Sequence, residues 1–517
     1  MTVLKKNIAA NFFGSLWVGL MGLIFVPLYI HFIGIEAYGL IGIFATLLAI
    51  FGLLDMGLSM TLNREMARLA VLEGSAQEMR DLVRTLEIPY WIVGLLISII
   101  VIAMSPFLAH HWVNAKNLSP KTVQTAMILM GLAFAFQWPM SFYSGGLMGL
   151  QRQVLLNVVN IVMSTFRGLG AVLILWLISP TVLAFFSWQI VISVVHVGLI
   201  VFFLWRNLPE ATEAPRFRHE LLRNIRRFAI GITGITVMAT LLAQLDKVIL
   251  SRMLSLEIFG YYSLAGVVAM TLYRFVGPVL EATYPQLTNL VALGASEAKI
   301  AEMYHKSAQL VSVLILPTAL VVALFSQEIM LLWTHSPVTA QRTHLLVSIL
   351  VIGAALNSIL NIPSSLQWAY GWTRLTFLVY VVSALLLAPL MIICTKGYGS
   401  VGAATVWAML CCGNVFIVMH YMHRRLLRHE KWRWYVEDVG RPLFASIIVA
   451  GLGRLIIRSD WSPLLLILSL GMVSGGTLLA AACVSSRLDA VERFKLFFAM
   501  IVKRVALLLN PAGRGEI

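Results

Sequence analysis

Charge is what this sequence lacks. Of its 517 residues only 12% are Asp, Glu, Lys or Arg, against roughly 25% in an ordinary soluble domain. So few charges cannot cover a water-soluble surface, and apolar runs of about 20 residues, long enough to cross hydrocarbon, recur along the whole chain. Cysteine is scarce as well. Cys394, Cys411, Cys412 and Cys483 all fall inside apolar runs, without zinc-type spacing and without the solvent-side placement of a disulfide framework. They read as packed or lipid-facing thiols. Nucleotide loop, zinc-ligand spacing and nucleophile elbow are all missing. An ATPase domain is therefore excluded, and no cofactor is expected. Any uphill step must draw on an ion gradient, H+ or Na+, or on removal of the product.

What is present is apolar sequence, at 60% of residues. The fold class is an all-α polytopic membrane protein. About 14 transmembrane helices are expected, starting near residues 8, 37, 85, 123, 154, 181, 228, 258, 307, 343, 375, 400, 441 and 463. The first begins after Lys5 and Lys6 and stays apolar too long for a cleaved secretory signal. The thirteenth is the weakest, because GLGRLIIRS places Gly451, Gly453 and Arg454 within it. The expected organisation is a six-helix half at 1–205, a cytoplasmic linker at 206–227 and a second six-helix half at 228–422. Two additional helices follow at 423–484, then a tail at 485–517. Within that tail RLDAVERFKLFFAMIVKRVALLLN (487–510) reads as an amphipathic helix lying along the inner leaflet.

The cations fix a topology. With the N-terminus inside, 28 of the 38 Lys and Arg lie on the inner side, six on the outer side, and four (Arg167, Lys247, Arg274, Arg454) within spans. That asymmetry satisfies the positive-inside rule and puts both termini in the cytoplasm of a plasma, or inner, membrane. The +15 net charge is thus mostly topological, and no nucleic-acid partner is needed. The outer loops are short, which leaves no room for an external catalytic domain.

Shifted by 221 residues, the sequence begins to match itself. Glu36, Tyr38 and Gly39 of GIEAYG fall on Glu257, Phe259 and Gly260 of SLEIFG, and Leu69, Leu72, Ser75 and Asp81 fall on Leu290, Leu293, Ser296 and Glu302. Six spans per repeat is an even number, so the two repeats are parallel, a class whose substrate sites lie between the halves. Each repeated glutamate is expected to stay hydrated in an interfacial turn, as a charge favoured by the helix N-terminus.

PLYIHFIGIEAYGLIGI (27–43) with LLDMGLSMTLNREMARL (53–69) resembles the N-terminal signature of the bacterial polysaccharide transporter family. QLDKVILSRMLSLEIFGYYSLAG (244–266) is similar to the start of that family's second half. The family, with its Wzx-type O-antigen flippases, belongs to the multidrug/oligosaccharidyl-lipid/polysaccharide exporter superfamily. The resemblance covers most of residues 8–422. Two helices beyond the family's usual twelve are a departure from it. The resemblance implies a flippase that moves a lipid-linked oligosaccharide outward by alternating access, its lipid a polyprenyl pyrophosphate. It implies no enzymatic activity. Implied partners are that lipid-linked saccharide, membrane lipids and glycan polymerase or assembly proteins.

A pyrophosphate needs counter-charge to cross hydrocarbon, and a guanidinium can grip it bidentately. Candidates for the substrate path are Arg274 and Arg167, each central to a span, Lys247 at the outer end of the seventh, and Arg64 at the inner mouth of the second. Arg274 and Arg167 can instead pair with internal carboxylates or carbonyls and hold helices together. Lys247 with Asp246 can equally be a helix-end anchor. Ion-coupling candidates are Asp55, Glu281, Asp246 and His196, since a buried carboxyl or imidazole can carry a proton. Asp55, Ser59 and Asn63 fall four residues apart, on one helical stripe. Gly277 and Pro278, between Arg274 and Glu281, mark a hinge or kink. The alternative is a MATE-type drug/cation antiporter, which would favour an acidic cavity over these cations.

Overall fold

A computed structural model describes residues 3–485 apart from Met56, Thr212 and Ser459, and only the backbone at 3–5, 8, 9 and 222–235. The tail helix expected at 487–510 lies outside these residues. The described chain is helical throughout, its one β-bridge joining Asn114 to Ser255.

One unit comprises residues 1–267, 333–335 and 376–407. It contains α1 (Val3–Phe51), α2 (Leu58–Leu69), α3 (Ala76–Phe107), α4 (Pro120–Gln137), α5 (Met140–Gly149), α6 (Gln153–Leu177), α7 (Val182–Asn207), α8 (His219–Met253) and most of α9 (Leu256–Thr271). The other comprises, among the described residues, 268–332, 336–375 and 408–485. Its helices are α10 (Tyr273–Ala292), α11 (Glu297–Leu324), α12 (Ser326–Thr334), α13 (Pro337–Ile359) and α14 (Asn361–Ala369). After α15 (Arg374–Arg425), whose residues 376–407 belong to the first unit, come α16 (Lys431–Arg433), a π-helical stretch Trp434–Gly440, α17 (Arg441–Ile456) and α18 (Pro463–Cys483).

Helix starts follow local chemistry. Ser119, Ser336 and Ser462 each stand before a proline and accept a hydrogen bond from the backbone N–H three residues on, so that the proline occupies the first turn, where its missing N–H costs nothing. Among the described residues eleven helical segments are long and apolar enough to cross a membrane, and the chain is a multi-pass membrane protein. Fewer segments than the expected fourteen result partly because two turns are so tight that the helices run together through them. In α1, Gly34 has φ 79° and ψ 164°. Asn7 donates to Gln151 at 3.2 Å, while Gly149 lies against the Asn63 carbonyl, so both ends of segment 3–63 reach one loop. The chain therefore reverses at Gly34, in a conformation only glycine adopts without strain. At Gly399 (φ 61°) α15 reverses likewise, because Gly402 meets the Cys394 carbonyl eight residues back, about 12 Å away in a straight helix.

Just beyond the Gly34 turn, Glu36 differs from expectation. It is buried rather than hydrated, and accepts from the backbone N–H groups of Lys116 (2.6 Å) and Asn117 (3.0 and 3.1 Å). Those amides replace water around the carboxylate. The two repeated hairpins pack reciprocally: a side chain at Gly39 would strike the Leu256 carbonyl, and one at Gly260 the Ile35 carbonyl. Residues 35 and 256, like 39 and 260, are related by the same 221-residue shift.

In the second unit, Val321, Phe325, Ala450, Ile457, Leu466 and Leu470 form a core joining α11, α17 and α18. The weak thirteenth span is helical here because its arginine is satisfied. Arg454 Nη1 lies 2.6 Å from Glu328 Oε1, with its guanidinium 5.4 Å from the Phe325 ring. Gly453 lets α17 settle on Val473 of α18. Large apolar side chains stay exposed on the outside, Leu455 and Phe444 among them, as lipid-facing positions require. Among the described residues the four cysteines form no disulfide, and Cys411 is buried.

Candidate functional site

The site builds up from α6 and α7, neighbours in the first unit. On α7, Gln189 and Ser193 are one turn apart and buried. On α6, Asn160 and Arg167 are seven residues apart, two turns or about 10 Å. Arg167 Nη1 donates to Gln189 Oε1 at 2.7 Å and reaches Ser193 Oγ at 3.4 Å. The Ser193 hydroxyl donates to the Gln189 carbonyl at 2.5 Å and accepts from Gln137 Nε2 of α4 at 3.0 Å. Trp188 Nε1 donates to the Arg167 carbonyl at 3.1 Å, which fixes the α6 backbone beneath the guanidinium. His196, further along α7, meets Asn160 Oδ1 through Nε2 at 3.1 Å, and its Nδ1 is buried with no hydrogen-bond partner among the described residues. Tyr29 of α1 interacts electrostatically with Arg167 and packs edge-on to Phe185.

Arg167 is thus a cation held by an amide and a hydroxyl. Among the described residues no carboxylate comes within ion-pair distance of it. The contrast with the other intramembrane cations is informative. Lys247 Nζ lies 3.4 Å from Asp246 and Arg454 2.6 Å from Glu328. Those two face carboxylates, whereas the bonds of Arg167 among the described residues go to a neutral amide and a hydroxyl.

Within the first unit, Asp55, Arg64, Asp246 and Lys247 bond to other partners. Arg274 and Glu281, on α10 in the second unit, are both exposed. Asp246 is buried and accepts from Tyr262 OH at 2.8 Å, so the Asp246–Lys247 pair is tied to α9 rather than standing in an open mouth. Lys247 also bonds the Ala243 carbonyl of its own helix. Arg64 is exposed beside Glu65, which binds Arg68 more closely, at 2.7 Å, and raises the Arg68 guanidinium above its ordinary range. The stripe expected from Asp55 through Ser59 to Asn63 is broken by Gly57, whose φ of 74° starts α2 as a new helix. Asp55 instead receives the Ser59 hydroxyl at 2.6 Å, and that hydroxyl is 3.0 Å from Tyr90 OH. Arg167 and His196 are brought near one ladder. Sequence reading missed Tyr29, Gln137, Asn160, Gln189 and Ser193. Their signal was there, since Gln189, Ser193 and His196 recur at helical spacing in FFSWQIVISVVHV.

Comparison with known proteins gives this arrangement a context. Residues 4–291 match the family described as polysaccharide biosynthesis protein. The "Putative O-antigen transporter" of Shigella flexneri is 19% identical over 405 residues, covering 78% of this chain and 94% of that protein. Among solved structures, the lipid II flippase MurJ in an inward closed conformation superposes with a TM-score of 0.67 at 13% identity, over 91% of this chain and 97% of its own. An inward-facing multidrug MATE transporter of the MOP superfamily gives 0.61 at 13% identity, over 83% and 95%. The Vibrio cholerae MATE transporter VcmN gives 0.57 at 14% identity, over 84% and 99%. At these identities the structural likeness speaks for the fold alone. The family match spans more than half the chain, and this protein belongs to the polysaccharide biosynthesis protein family, built on the helical fold that MurJ and the MATE transporters share.

Proposed function

We propose that this protein is a flippase that carries a polyprenyl-pyrophosphate-linked oligosaccharide outward across the bacterial inner membrane, by alternating access, for surface polysaccharide synthesis. The observation that carries the reading is Arg167. A guanidinium in mid-span, held by Gln189 and Ser193 and paired with no carboxylate among the described residues, suits an anionic headgroup that must cross a low-dielectric layer. The names of the O-antigen transporter and of MurJ support the same cargo class. In this reading both termini are cytoplasmic, an H+ or Na+ gradient supplies any driving force, and a glycan polymerase or assembly protein takes the product. A MATE-type antiporter, the alternative, would have to bring a cationic drug past Arg167, against Coulomb repulsion.

The test is deletion of the gene, followed by extraction of polyprenyl-linked saccharides. Accumulation of one lipid-linked unit on the cytoplasmic side, with the matching surface glycan lost, is the expected result. No accumulation, together with sensitivity to cationic drugs, would replace this reading with the antiporter.

A further inference from the structure

The second unit contains a buried polar cluster that the Arg167 site does not use. His305 of α11 and Asp438 of the π-helical stretch are both fully buried, and Glu430, just before α16, is 24% exposed. His305 Nδ1 faces Asp438 Oδ2 at 2.5 Å, and Nε2 faces Glu430 Oε2 at 3.0 Å. Gln309, one turn along α11, donates to Asp438 Oδ1 at 3.1 Å. The imidazole therefore stands between two carboxylates, each ring nitrogen directed at one of them.

Hydrogen counting makes this a binding site. A neutral imidazole carries one N–H, and an ionised carboxylate only accepts. Two bonds to two carboxylates need two hydrogens, one more than a neutral ring and two carboxylates possess. Asp438 Oδ1 already accepts from an amide, and an imidazole is a stronger base than a carboxylate, so the extra hydrogen belongs on the ring as its second N–H. The surrounding groups do not supply it otherwise. On the Glu430 side, Arg433 reaches Glu430 at 3.4 Å and Glu437 at 3.1 Å, and Arg441 is 3.9 Å from Glu437. Lys431 turns to His420 at 3.3 Å. Tyr304 of α11 packs its ring against His305 and His423, and His423 Nδ1 is engaged with the Met419 carbonyl. Tyr435 lies on the same stretch as Asp438.

We propose that His305, Asp438 and Glu430 form a proton-binding site that fastens α11 to the segment leading into α17, and that gain and loss of this proton govern export. The proton enters and leaves through Glu430, the only partly exposed member of the three, passing between water, the Glu430 carboxylate and His305 Nε2. Without it one ring nitrogen and one carboxylate oxygen confront each other as two acceptors, and that attachment of α11 is lost. The part concerning export rests on the flippase reading; the proton site does not.

Two measurements test it. In full-length protein labelled with 15N-histidine in lipid nanodiscs at pH 7, the His305 signal is identified by its loss in H305Q. Both ring nitrogens are expected to be protonated, and a ring with one N–H overturns the site. Where H305Q does not accumulate, E430Q serves: one histidine signal should change from two N–H groups to one, and an unaltered spectrum overturns the site equally. Export of surface glycan is then followed against pH for wild type and E430Q at matched protein level. Removing an opposite charge should move the profile toward acid by about one pH unit. Superimposable profiles would reject the link to export, whereas a wild type that exports nothing at any pH rejects the flippase reading and leaves the nitrogen spectrum to decide the proton site.

Discussion

Arg167 and Gln189 meet at 2.7 Å across the α6–α7 interface, a charged donor on a neutral acceptor. A carboxylate in place of the amide would cancel the charge, and the amide orients the guanidinium while leaving its field intact. Replacing Arg167 by Gln is expected to keep the helix packing and remove the field. Surface glycan should fall at least about tenfold, the equivalent of 1.4 kcal/mol, at unchanged protein level. Arg167→Lys should recover part of it, since a Lys supplies charge without the planar fork. Export equal to wild type in Arg167→Gln would take this residue out of the path. Arg274→Ala, placed on the path by the sequence, belongs in the same assay at matched expression. A larger loss there than in Arg167→Gln would make Arg274 the more important of the two.

This difference between the two arginines shows where sequence reading stops. Span positions, the linker and the 221-residue repeat follow from hydropathy, charge and self-matching, all of them one-dimensional signals. Whether an intramembrane arginine is compensated depends on which helix faces it. Arg454 finds Glu328, 126 residues away, and Arg167 finds Gln189, 22 residues away. Nothing in the pattern around either arginine distinguishes them. The polar residues Gln137, Gln189 and Ser193 look like isolated blemishes in apolar runs until the helices that bear them are brought together.

The Arg454–Glu328 pair gives a stability prediction. Glu328 is almost wholly buried while Arg454 is 42% exposed, and removing the cation weakens a charge-assisted hydrogen bond worth about 1.5–3 kcal/mol. Arg454→Leu should markedly lower the melting temperature of detergent-purified protein, and the double variant with Glu328→Gln should recover much of the loss. Two single changes that merely add would mean the pair is not coupled.

The linker after α7 offers another test. Asp81, fully buried on α3, holds Arg218 Nε at 2.6 Å and accepts from the Arg216 N–H at 2.8 Å, while Thr85 accepts from the Arg218 N–H at 2.9 Å. Asp81→Ala should release segment 213–218, and trypsin should cut at Arg216 and Arg218 at least about tenfold faster, as expected where local opening becomes easier by about 1.4 kcal/mol. Unchanged cleavage would mean that other contacts hold the linker.

Glycine at the repeat is tested by adding a single methyl group. Gly39→Ala and Gly260→Ala would each press a Cβ onto a carbonyl oxygen of the other hairpin, and overpacking of this kind costs about 1–3 kcal/mol. Each should lower the yield of monodisperse protein on size exclusion after heating. Gly277→Ala, where a methyl meets open space, should not. Equal behaviour of all three would mean that the hairpins do not need glycine at this contact.

That glycine contact has a consequence for motion. Where Gly39 and Gly260 meet the opposite hairpin, what touches is a Cα hydrogen and a carbonyl oxygen, a weak bond of about 0.5–1 kcal/mol. The Leu256 and Ile35 side chains lie beside these points and belong to the same residues whose carbonyls face the glycines, so they travel with the backbone strips. Duplication of one hairpin has produced a fastener whose two faces are copies of each other. It closes to van der Waals contact because each face offers a glycine where the other offers a carbonyl.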